Sequence, residues 1–250
     1  MEKIKRIVLQ NISKKFKIGF KKRQGILAKI ISLLSGREPK KEIVCLDNLL
    51  LTVNSGEIIG LIGANGSGKS TLLRVIAGIY KHDAGRVLTR GKIISLINLN
   101  IGLQERLSMR DNIYLCCSLF GLGRDTIKRN MASIAEFAEL DDYIDTKLYQ
   151  FSSGMLQRLA FSIAMHCNPE ILLLDEVFEV GDEDFRKKSA EKIKEIVKNG
   201  ASVILVSHEL DMIKKHCDKV IWLDNGSVKK EGPVKEILKE YKKCRLENKI

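Results

Sequence analysis

The chain has 250 residues, of which 44% are hydrophobic and 30% are charged, and 43 Lys and Arg against 31 Asp and Glu give a formal net charge of +12. This composition is typical of a globular protein and excludes a disordered chain or a fibre, and the length suits one large domain. No apolar run approaches the roughly 18 residues that span a bilayer, and the first ten residues lack the apolar stretch of a signal peptide. The six cysteines form no CxxC pair, which favours free thiols in a reducing cytosol.

The positive charge is concentrated in two stretches, at residues 14–41, which hold ten Lys or Arg and one acid, and at residues 229–250. The body between them is slightly acidic. A duplex-binding protein presents a basic face over its body, so we expect no nucleic-acid partner. Within the first stretch, GILAKIISLLSG (25–36) has apolar residues at helical spacing. This pattern favours either an amphipathic helix on a membrane or partner surface, or a helix packed on its own domain.

The apolar pattern predicts strands that alternate with helices along the chain. Strands are expected at 4–10, 43–53, 57–63, 92–98, 171–175, 202–207 and 219–225. Helices are expected at 69–79 and 183–198, and the pattern is helical from 108 to about 164. Continuous apolar strands separated by helices indicate a parallel sheet with right-handed crossovers. The predicted fold class is therefore α/β, with a parallel-sheet core and a helical insertion at about 99–165.

Residues 63–70, GANGSGKS, match the pattern G-x-x-x-x-G-K-[ST] between a predicted strand and a predicted helix. Such a loop turns backbone N–H groups toward phosphates, and the helix N-terminus adds its positive dipole end. We expect Lys69 to reach the β- and γ-phosphates of ATP and the Ser70 hydroxyl to bind Mg²⁺. The nucleotide-binding residues expected from this loop are Gly63, Asn65, Gly66, Ser67, Gly68, Lys69, Ser70 and Thr71.

Polar side chains end the next two apolar strands. Asp175 ends ILLLD, where its carboxylate is expected to hold Mg²⁺ at the carboxyl edge of the sheet. Glu176 follows directly and is the expected general base for the attacking water, although an acid pair at a strand end is alternatively a structural cap. His208 ends SVILVSH and is expected to reach the γ-phosphate, whereas a strand-end histidine taken alone is more often a satisfied core residue.

Together with four further segments, these motifs resemble the nucleotide-binding subunits of ABC transporters. The segments are FSSGM (151–155) followed by Gln157-Arg158, which resembles the signature motif LSGGQ; EVGD (179–182) at the D-loop position; Ser207-His208 at the switch histidine; and Phe16 at the aromatic that stacks on adenine. The resemblance covers about residues 1–235. It implies a P-loop NTPase fold of the ABC type, with a RecA-like parallel-sheet core, additional antiparallel strands and a helical subdomain.

The resemblance also implies how one ABC ATPase domain is divided over residues 1–250. The implied parts are a nucleotide-binding core at 1–98 and 166–235, a helical signature subdomain at 99–165, a basic amphipathic insertion at 17–42 and a basic C-terminal tail at 236–250. Because that tail is short, we expect no further carbohydrate-binding domain of the kind that some exporters carry.

A homodimer follows from the resemblance, with two copies facing each other head to tail and ATP sandwiched between them. Each ATP would be held by the phosphate loop of one copy and by Ser152 and Gly154 of the other, with Asp182 on the D-loop. ATP closes the dimer, hydrolysis reopens it, and a transmembrane permease subunit converts the motion into transport. The expected location is the cytoplasmic face of the cell membrane, with peripheral contact through 17–42.

Softer motifs resemble one group in particular, the ATPases that export polysaccharides such as O-antigen, capsule or teichoic acid chains. These motifs are SSGM in place of SGGQ, EVGD in the D-loop and the long basic insertion. The alternatives are a transporter of another substrate such as a lipid or drug, a soluble ABC-type ATPase acting in DNA repair or on ribosomes, and a nucleotide-binding regulator without turnover.

Two positions depart from the family pattern. The family ends the strand before the helical subdomain with a Gln that contacts Mg²⁺ and water, where this chain has Asn98, and Gln104 is the rival candidate for that amide. Met155 replaces the Gln of the signature motif. Both changes leave the phosphate loop, the strand-end acids and His208 in place, so we expect ATP hydrolysis.

Overall fold

The computed structural model describes residues 4–18, 41–97, 102–175 and 182–247. Asn98, Glu176 and residues 19–40 of the basic insertion lie outside the described residues. In the described part of the chain, no helix is long and apolar enough to cross a membrane. The six cysteines all lie in it, and none forms a disulfide.

The nine strands and seven α-helices of the described residues follow one another along the chain. In chain order they are β1 (Lys5–Ile18), β2 (Lys41–Asn54), β3 (Ile58–Ile62), α1 (Lys69–Ile76), β4 (Ala84–Thr89), β5 (Ile93–Leu96), α2 (Met109–Leu119), α3 (Arg124–Ala138), α4 (Ser153–His166), β6 (Ile171–Asp175), α5 (Glu183–Lys198), β7 (Ser202–Val206), α6 (Leu210–His216), β8 (Lys219–Asp224), β9 (Ser227–Pro233) and α7 (Val234–Glu247). Short 3₁₀ turns lie at Asp141–Tyr143 and Leu148–Gln150.

The central sheet has six strands in the order β5-β6-β7-β3-β8-β9, and β9 is its one antiparallel strand. Its inner strands are apolar on both faces because both faces are covered. On β6, Leu172 and Leu174 pack in the same core as the helical insertion, whereas Ile171 and Leu173 pack with α1 and the second sheet. In this order β6, β7 and β3 are adjacent, so their carboxyl ends meet at one edge of the sheet.

A smaller antiparallel sheet, ordered β2-β1-β4, covers α1. The sequence predicted its first strand only to residue 10, because the alternation of buried residues breaks there. Ile7 and Leu9 are buried at a spacing of two, but the next buried residue is Ile12. Between them Asn11 adopts a left-handed backbone with φ 52°, and the pairing shifts register. This β-bulge lets one strand run on to Ile18 with its core face unchanged.

The helices α2, α3 and α4 lie between β5 and β6, where the helical insertion was expected. Ser108 caps the start of α2 by accepting a hydrogen bond from the Asp111 amide. Helices α3 and α4 pack through Phe137 and Phe161, and the buried Ser162 hydroxyl donates to the Ile134 carbonyl at 2.7 Å.

Several elements differ from the sequence predictions. The helix expected at 69–79 ends at Ile76, because Gly78 adopts a left-handed conformation with φ 74° just beyond it. Strands β4 and β9 were not predicted, and the residues expected as a basic tail at 236–250 form helix α7 up to Glu247. One face of α7 is buried in the main core by Ile237, Leu238 and Tyr241.

Candidate nucleotide-binding site

The phosphate loop connects β3 to α1 in a conformation that requires glycine. Gly68 has φ 105°, and a Cβ atom there would lie 2.5 Å from the Cys45 carbonyl oxygen of β2. A Cβ atom on Gly63 would lie 2.3 Å from the Leu223 carbonyl oxygen of β8. The loop is therefore held between both sheets, and side chains at these two positions would push it away from them.

Lys69 begins α1 and its side chain is buried. Its Nζ donates hydrogen bonds to the carbonyl oxygens of Gly63, at 2.9 Å, and Ala64, at 3.0 Å, so the ammonium is held inside the loop. The cap residue Gly68 provides no side-chain acceptor for the first amides of α1. The Ser67 hydroxyl is buried and has no hydrogen-bond partner among the described residues. A positive charge and backbone donors without a side-chain cap suit an anionic phosphate.

The loop opens into a cleft of about 310 Å³ at the carboxyl edge of the central sheet. Asp175, the last residue of β6, pairs in register with Val206, the last residue of β7, and the chain after β7 leads directly to His208. The residues that line the cleft are Cys45, Asn65, Gly66, Gly68, Lys69, Ser70, Thr71, Asp175 and His208. The structure therefore brings together residues that the sequence had placed at three separate strand ends.

The chemistry of this cleft fits a nucleotide polyphosphate together with a magnesium ion. The Ser70 hydroxyl and the Asp175 carboxylate line the same space, and hard oxygen atoms are the ligands that Mg²⁺ prefers. Lys69 contributes a cation beside them. His208 is exposed at the mouth of the cleft, in a turn where the Ser207 hydroxyl accepts a hydrogen bond from the Glu209 amide at 3.0 Å.

The contacts expected from the signature motif and the D-loop lie away from this cleft. Ser152 caps the start of α4, where its hydroxyl accepts a hydrogen bond from the Met155 amide, and Gly154 lies in the first turn of the same helix. Asp182 caps α5 and accepts a hydrogen bond from the Phe185 amide at 3.0 Å. This amide, followed by the Arg158 guanidinium, holds the pKa of the Asp182 carboxyl below its usual range.

Phe16 lies on β1 and does not line the cleft. Its ring meets Tyr80 edge-on, with 5.4 Å between the ring centroids, and the Lys14 ammonium lies 5.3 Å from its centroid. The ring is only partly buried.

Asn98 and Gln104 were the two candidates for the glutamine of the family pattern, and the structure describes one of them. Asn98 lies outside the described residues. Gln104 is exposed and does not line the cleft, and its backbone is held by Asn112, a residue that the sequence analysis missed. The Asn112 side chain is fully buried, accepts a hydrogen bond from the Gln104 amide at 2.7 Å, and donates to the carbonyl oxygens of Gln104 and Ser108. An asparagine between Met109 and Ile113 on the apolar face of α2 was the signal that could have found it.

Cys45 was also missed as a residue of the cleft. It belongs to β2 of the antiparallel sheet, and its carbonyl oxygen abuts both Gly68 and Gly226. No sequence motif marks it, because its position depends on the packing of the two sheets.

Comparison with known proteins identifies the family. A family model described as "ABC transporter" matches residues 46–179, more than half of the chain. The chain belongs to the ABC transporter family.

Individual relatives agree with this assignment. The O-antigen export system ATP-binding protein RfbB of Klebsiella pneumoniae is 39% identical over 212 residues, which are 85% of this chain and 85% of that protein. RfbB of Myxococcus xanthus is 37% identical over 87% of this chain and 50% of its own length. The teichoic acids export ATP-binding protein TagH of Lactococcus lactis subsp. lactis is 42% identical over 84% of this chain and 45% of its own length. The chain thus spans about half the length of the last two relatives.

Solved structures of ABC proteins have the same fold. An ATP-binding subunit of an ABC transporter superposes with a TM-score of 0.76 and 22% identity, over 94% of this chain and 93% of that one. A dimeric ATP-binding cassette in a post-hydrolysis state, bound to ADP and Pi, superposes with a TM-score of 0.73 and 23% identity, over 91% and 98%. The family and the ABC-type fold class predicted from the sequence are both confirmed.

Proposed function

We propose that this ABC protein is the ATP-hydrolysing subunit of an exporter that moves a lipid-linked polysaccharide across the cell membrane through a separate transmembrane partner. The observation that carries the ATPase part is the single cleft that gathers Lys69, Ser70, Asp175 and His208. The polysaccharide part is supported by relatives at 37–42% identity that are named for O-antigen and teichoic acid export.

In the proposed reaction, water attacks the γ-phosphorus of ATP and the bond to the bridging β–γ oxygen breaks, which yields ADP and phosphate. Lys69 offsets the charge of the phosphates, while the amides of the loop orient them. Glu176, which directly follows Asp175 in the chain, takes the proton of the attacking water, and His208 holds the γ-phosphate. Asn98 is the proposed amide beside the water. Mg²⁺, when bound with the nucleotide, neutralises phosphate charge, and Ser70 and Asp175 are the residues that would hold it.

A second copy of the chain completes the proposed site. Ser152 and Gly154 lie at the partly exposed start of α4, outside the cleft that contains Lys69. The start of a helix presents backbone N–H groups that suit a γ-phosphate, so a copy arranged head to tail would close the cleft from the opposite side. That one of the structural neighbours is a dimer supports the proposal that two copies associate.

The basic insertion is the proposed contact with the membrane. Ile18 at the end of β1 pairs with Lys41 at the start of β2, so the two described ends that flank the insertion lie side by side. Residues 19–40 hold six Lys and Arg and one acid, a composition suited to anionic headgroups or a phosphate-bearing polymer carrier.

Two assays test the proposal. Purified protein is expected to hydrolyse ATP, and Lys69→Ala is expected to abolish turnover, whereas Lys239→Ala, a lysine exposed on α7, is expected to leave turnover unchanged. In the source cells, loss of the gene is expected to leave finished polysaccharide inside the cell, and only the wild-type gene should restore it to the surface. ATP hydrolysis that survives Lys69→Ala would contradict the ATPase assignment, and normal surface polysaccharide without the gene would contradict the export assignment.

A further inference from the structure

A second cavity, of about 410 Å³, lies beside the nucleotide cleft, and we call it the α7 cavity. It is lined by residues 63–65 of the phosphate loop, by Trp222, Asp224 and Lys229 of the hairpin β8–β9, and by Tyr241 and Arg245 of α7. Asn65 and His208 line both the α7 cavity and the nucleotide cleft. Lys69, Ser70 and Asp175 line only the cleft. The α7 cavity is therefore a neighbour of the ATP site and not a part of it.

Two cations of the α7 cavity are each held over an aromatic ring. The Lys229 ammonium lies 4.4 Å from the centroid of Trp222, and the Arg245 guanidinium lies 5.9 Å from the centroid of Tyr241. The face of an aromatic ring attracts a cation. Both rings are buried, and they meet edge-on with 5.2 Å between their centroids. Because the rings are neighbours, the two cations converge on the one space that both of them line.

The charge balance of the α7 cavity is positive. Among the described residues its charged side chains are Lys229, Arg245 and Asp224, so two cations face one acid when His208 is counted as neutral. Asp224 pairs with Lys229 at 3.1 Å, whereas the exposed guanidinium of Arg245 presents a planar fork of N–H donors. Such a fork matches the oxygens of a phosphate, and two converging cations suit its nearly double negative charge. The lining therefore favours a phosphate group.

The α7 cavity has more room than a phosphate group needs. Its volume of about 410 Å³ falls within the roughly 300–1,000 Å³ of small-molecule sites. The Asp224 carboxylate would repel a bare phosphate, but its oxygens can accept hydrogen bonds from hydroxyl groups. A phosphate monoester that carries hydroxyl groups thus fits this lining better than inorganic phosphate does.

We propose that the α7 cavity binds a small phosphate monoester that carries hydroxyl groups, and that its occupancy weakens the binding of ATP. The carbonyl oxygens that hold the Lys69 ammonium belong to Gly63 and Ala64, and both of these residues also line the α7 cavity. Two phosphate groups that share Asn65 and His208 as neighbours repel each other. The coupling rests on the ATP binding proposed above, whereas the ester site itself does not.

Isothermal titration calorimetry of the full chain without nucleotide tests the site, with glucose 1-phosphate and glycerol 3-phosphate as the esters. We expect at least one ester to bind more tightly than inorganic phosphate, and glucose not to bind. Arg245→Gln is expected to weaken ester binding about 10-fold or more, the loss typical of a hydrogen bond between charged groups. Arg245→Lys should be intermediate, because an ammonium keeps the charge and lacks the fork. Lys239→Gln, which removes one positive charge from an exposed position of the same helix, is the matched control and should change the affinity less than about twofold.

Two further comparisons separate the α7 cavity from the phosphate loop. Lys69→Ala is expected to weaken ester binding less than Arg245→Gln does, whereas the order is reversed for a fluorescent ATP analogue. Saturating ester is expected to raise the Kd of the wild type for that analogue about fivefold or more, and saturating analogue should weaken the ester by the same factor. In Arg245→Gln the ester should leave this Kd unchanged, and turnover without ester should equal that of the wild type, since Arg245 does not line the nucleotide cleft.

The site is overturned if neither ester binds, if inorganic phosphate binds as tightly as both esters, or if Lys239→Gln or Lys69→Ala weakens the ester as much as Arg245→Gln. The coupling is overturned if saturating ester leaves the Kd for the ATP analogue unchanged or lowers it. Should Arg245→Gln fail to fold, Lys229→Gln decides by the same criteria. Ester binding that depends on Arg245 in a protein that does not hydrolyse ATP would contradict the proposed function and not the site. ATP hydrolysis by a protein that binds neither ester would contradict this inference alone.

Discussion

Replacing Asn112 by Ala is expected to destabilise the fold strongly, although the sequence analysis assigned this residue no role. Its side chain is fully buried and makes three hydrogen bonds of 2.7 to 3.1 Å with Gln104 and Ser108. Both carbonyl oxygens keep another backbone donor after the change, from Leu107 and from the amide of residue 112. The Gln104 amide would lose the acceptor that the side chain provides. Three lost hydrogen bonds at about 1 kcal/mol each give a total of roughly 3 kcal/mol.

Thermal unfolding followed by circular dichroism measures this effect. For a chain of this size, about 3 kcal/mol corresponds to a fall in Tm of about 6–12 °C. Asn130→Ala is the matched control, since Asn130 makes one long hydrogen bond, 3.5 Å to the His166 carbonyl. We expect that control to change Tm by less than about 4 °C. If Asn112→Ala melted no lower than Asn130→Ala, the assignment of Asn112 as the residue that holds the 102–108 loop would be refuted.

Three other predictions concern the phosphate loop, a buried histidine and the basic insertion. Gly68→Ala is expected to abolish ATP binding in a fluorescent-nucleotide titration, since its Cβ would lie 2.5 Å from a carbonyl oxygen. The control Gly123→Ala, with open space around the new Cβ, should bind ATP normally. Equal ATP binding by the two variants would contradict the packing of the loop. Burial lowers the pKa of His166 in the folded state below the ordinary value of about 6.5. The stability that its neutral form contributes is therefore complete above pH about 6.5. It is lost as the pH falls through and below that value, because the unfolded chain then takes up a proton that the folded chain does not. His166→Gln should therefore flatten the pH dependence of the free energy of unfolding between pH about 7 and 5, and an unchanged slope would refute this. Replacing 19–40 by a short turn should leave ATPase activity intact, because Ile18 and Lys41 are paired, but should weaken binding to anionic vesicles; loss of folding would show that the insertion belongs to the core.

The elements predicted correctly from the sequence are those with a clear local pattern of hydrophobicity. That pattern is either a continuous apolar run, buried on both faces, or apolar residues at a regular spacing. The runs ILLLD and SVILVS are buried throughout β6 and β7, apart from the partly exposed Asp175, so continuous hydrophobicity marked them. The phosphate loop was found because its glycines, Lys69 and Ser70 are adjacent in the chain and their spacing is set by the phosphates.

The elements that were missed carry no such local pattern. β4 and β9 are largely exposed edge strands with sequences such as SVKKEGP. They therefore lack the alternation of apolar and polar residues that would predict a strand. α7 was predicted to be a basic tail because Lys and Arg dominate its exposed face. Its apolar stripe of Ile237, Leu238 and Tyr241 can be recognised as a buried face only when its packing against β8 and β9 is known. Arg158 was noted only as part of a motif. It forms ion pairs with Glu139 and Asp182, which are 19 and 24 residues away in the chain. Only the packing of α3, α4 and α5 brings these residues together.

The measurement that tests the central claim most directly is the oligomeric state of the Glu176→Gln variant with and without Mg²⁺ and ATP, by size-exclusion chromatography with light scattering. Without its proposed base this variant should bind ATP and fail to hydrolyse it, so it should run as a monomer alone and as a stable dimer with ATP. Adding Ser152→Ala should weaken that dimer, whereas Ser153→Ala, beside it on the same exposed turn, should weaken it less. A Glu176→Gln protein that hydrolyses ATP at the wild-type rate and stays monomeric would contradict both the assigned base and the shared site.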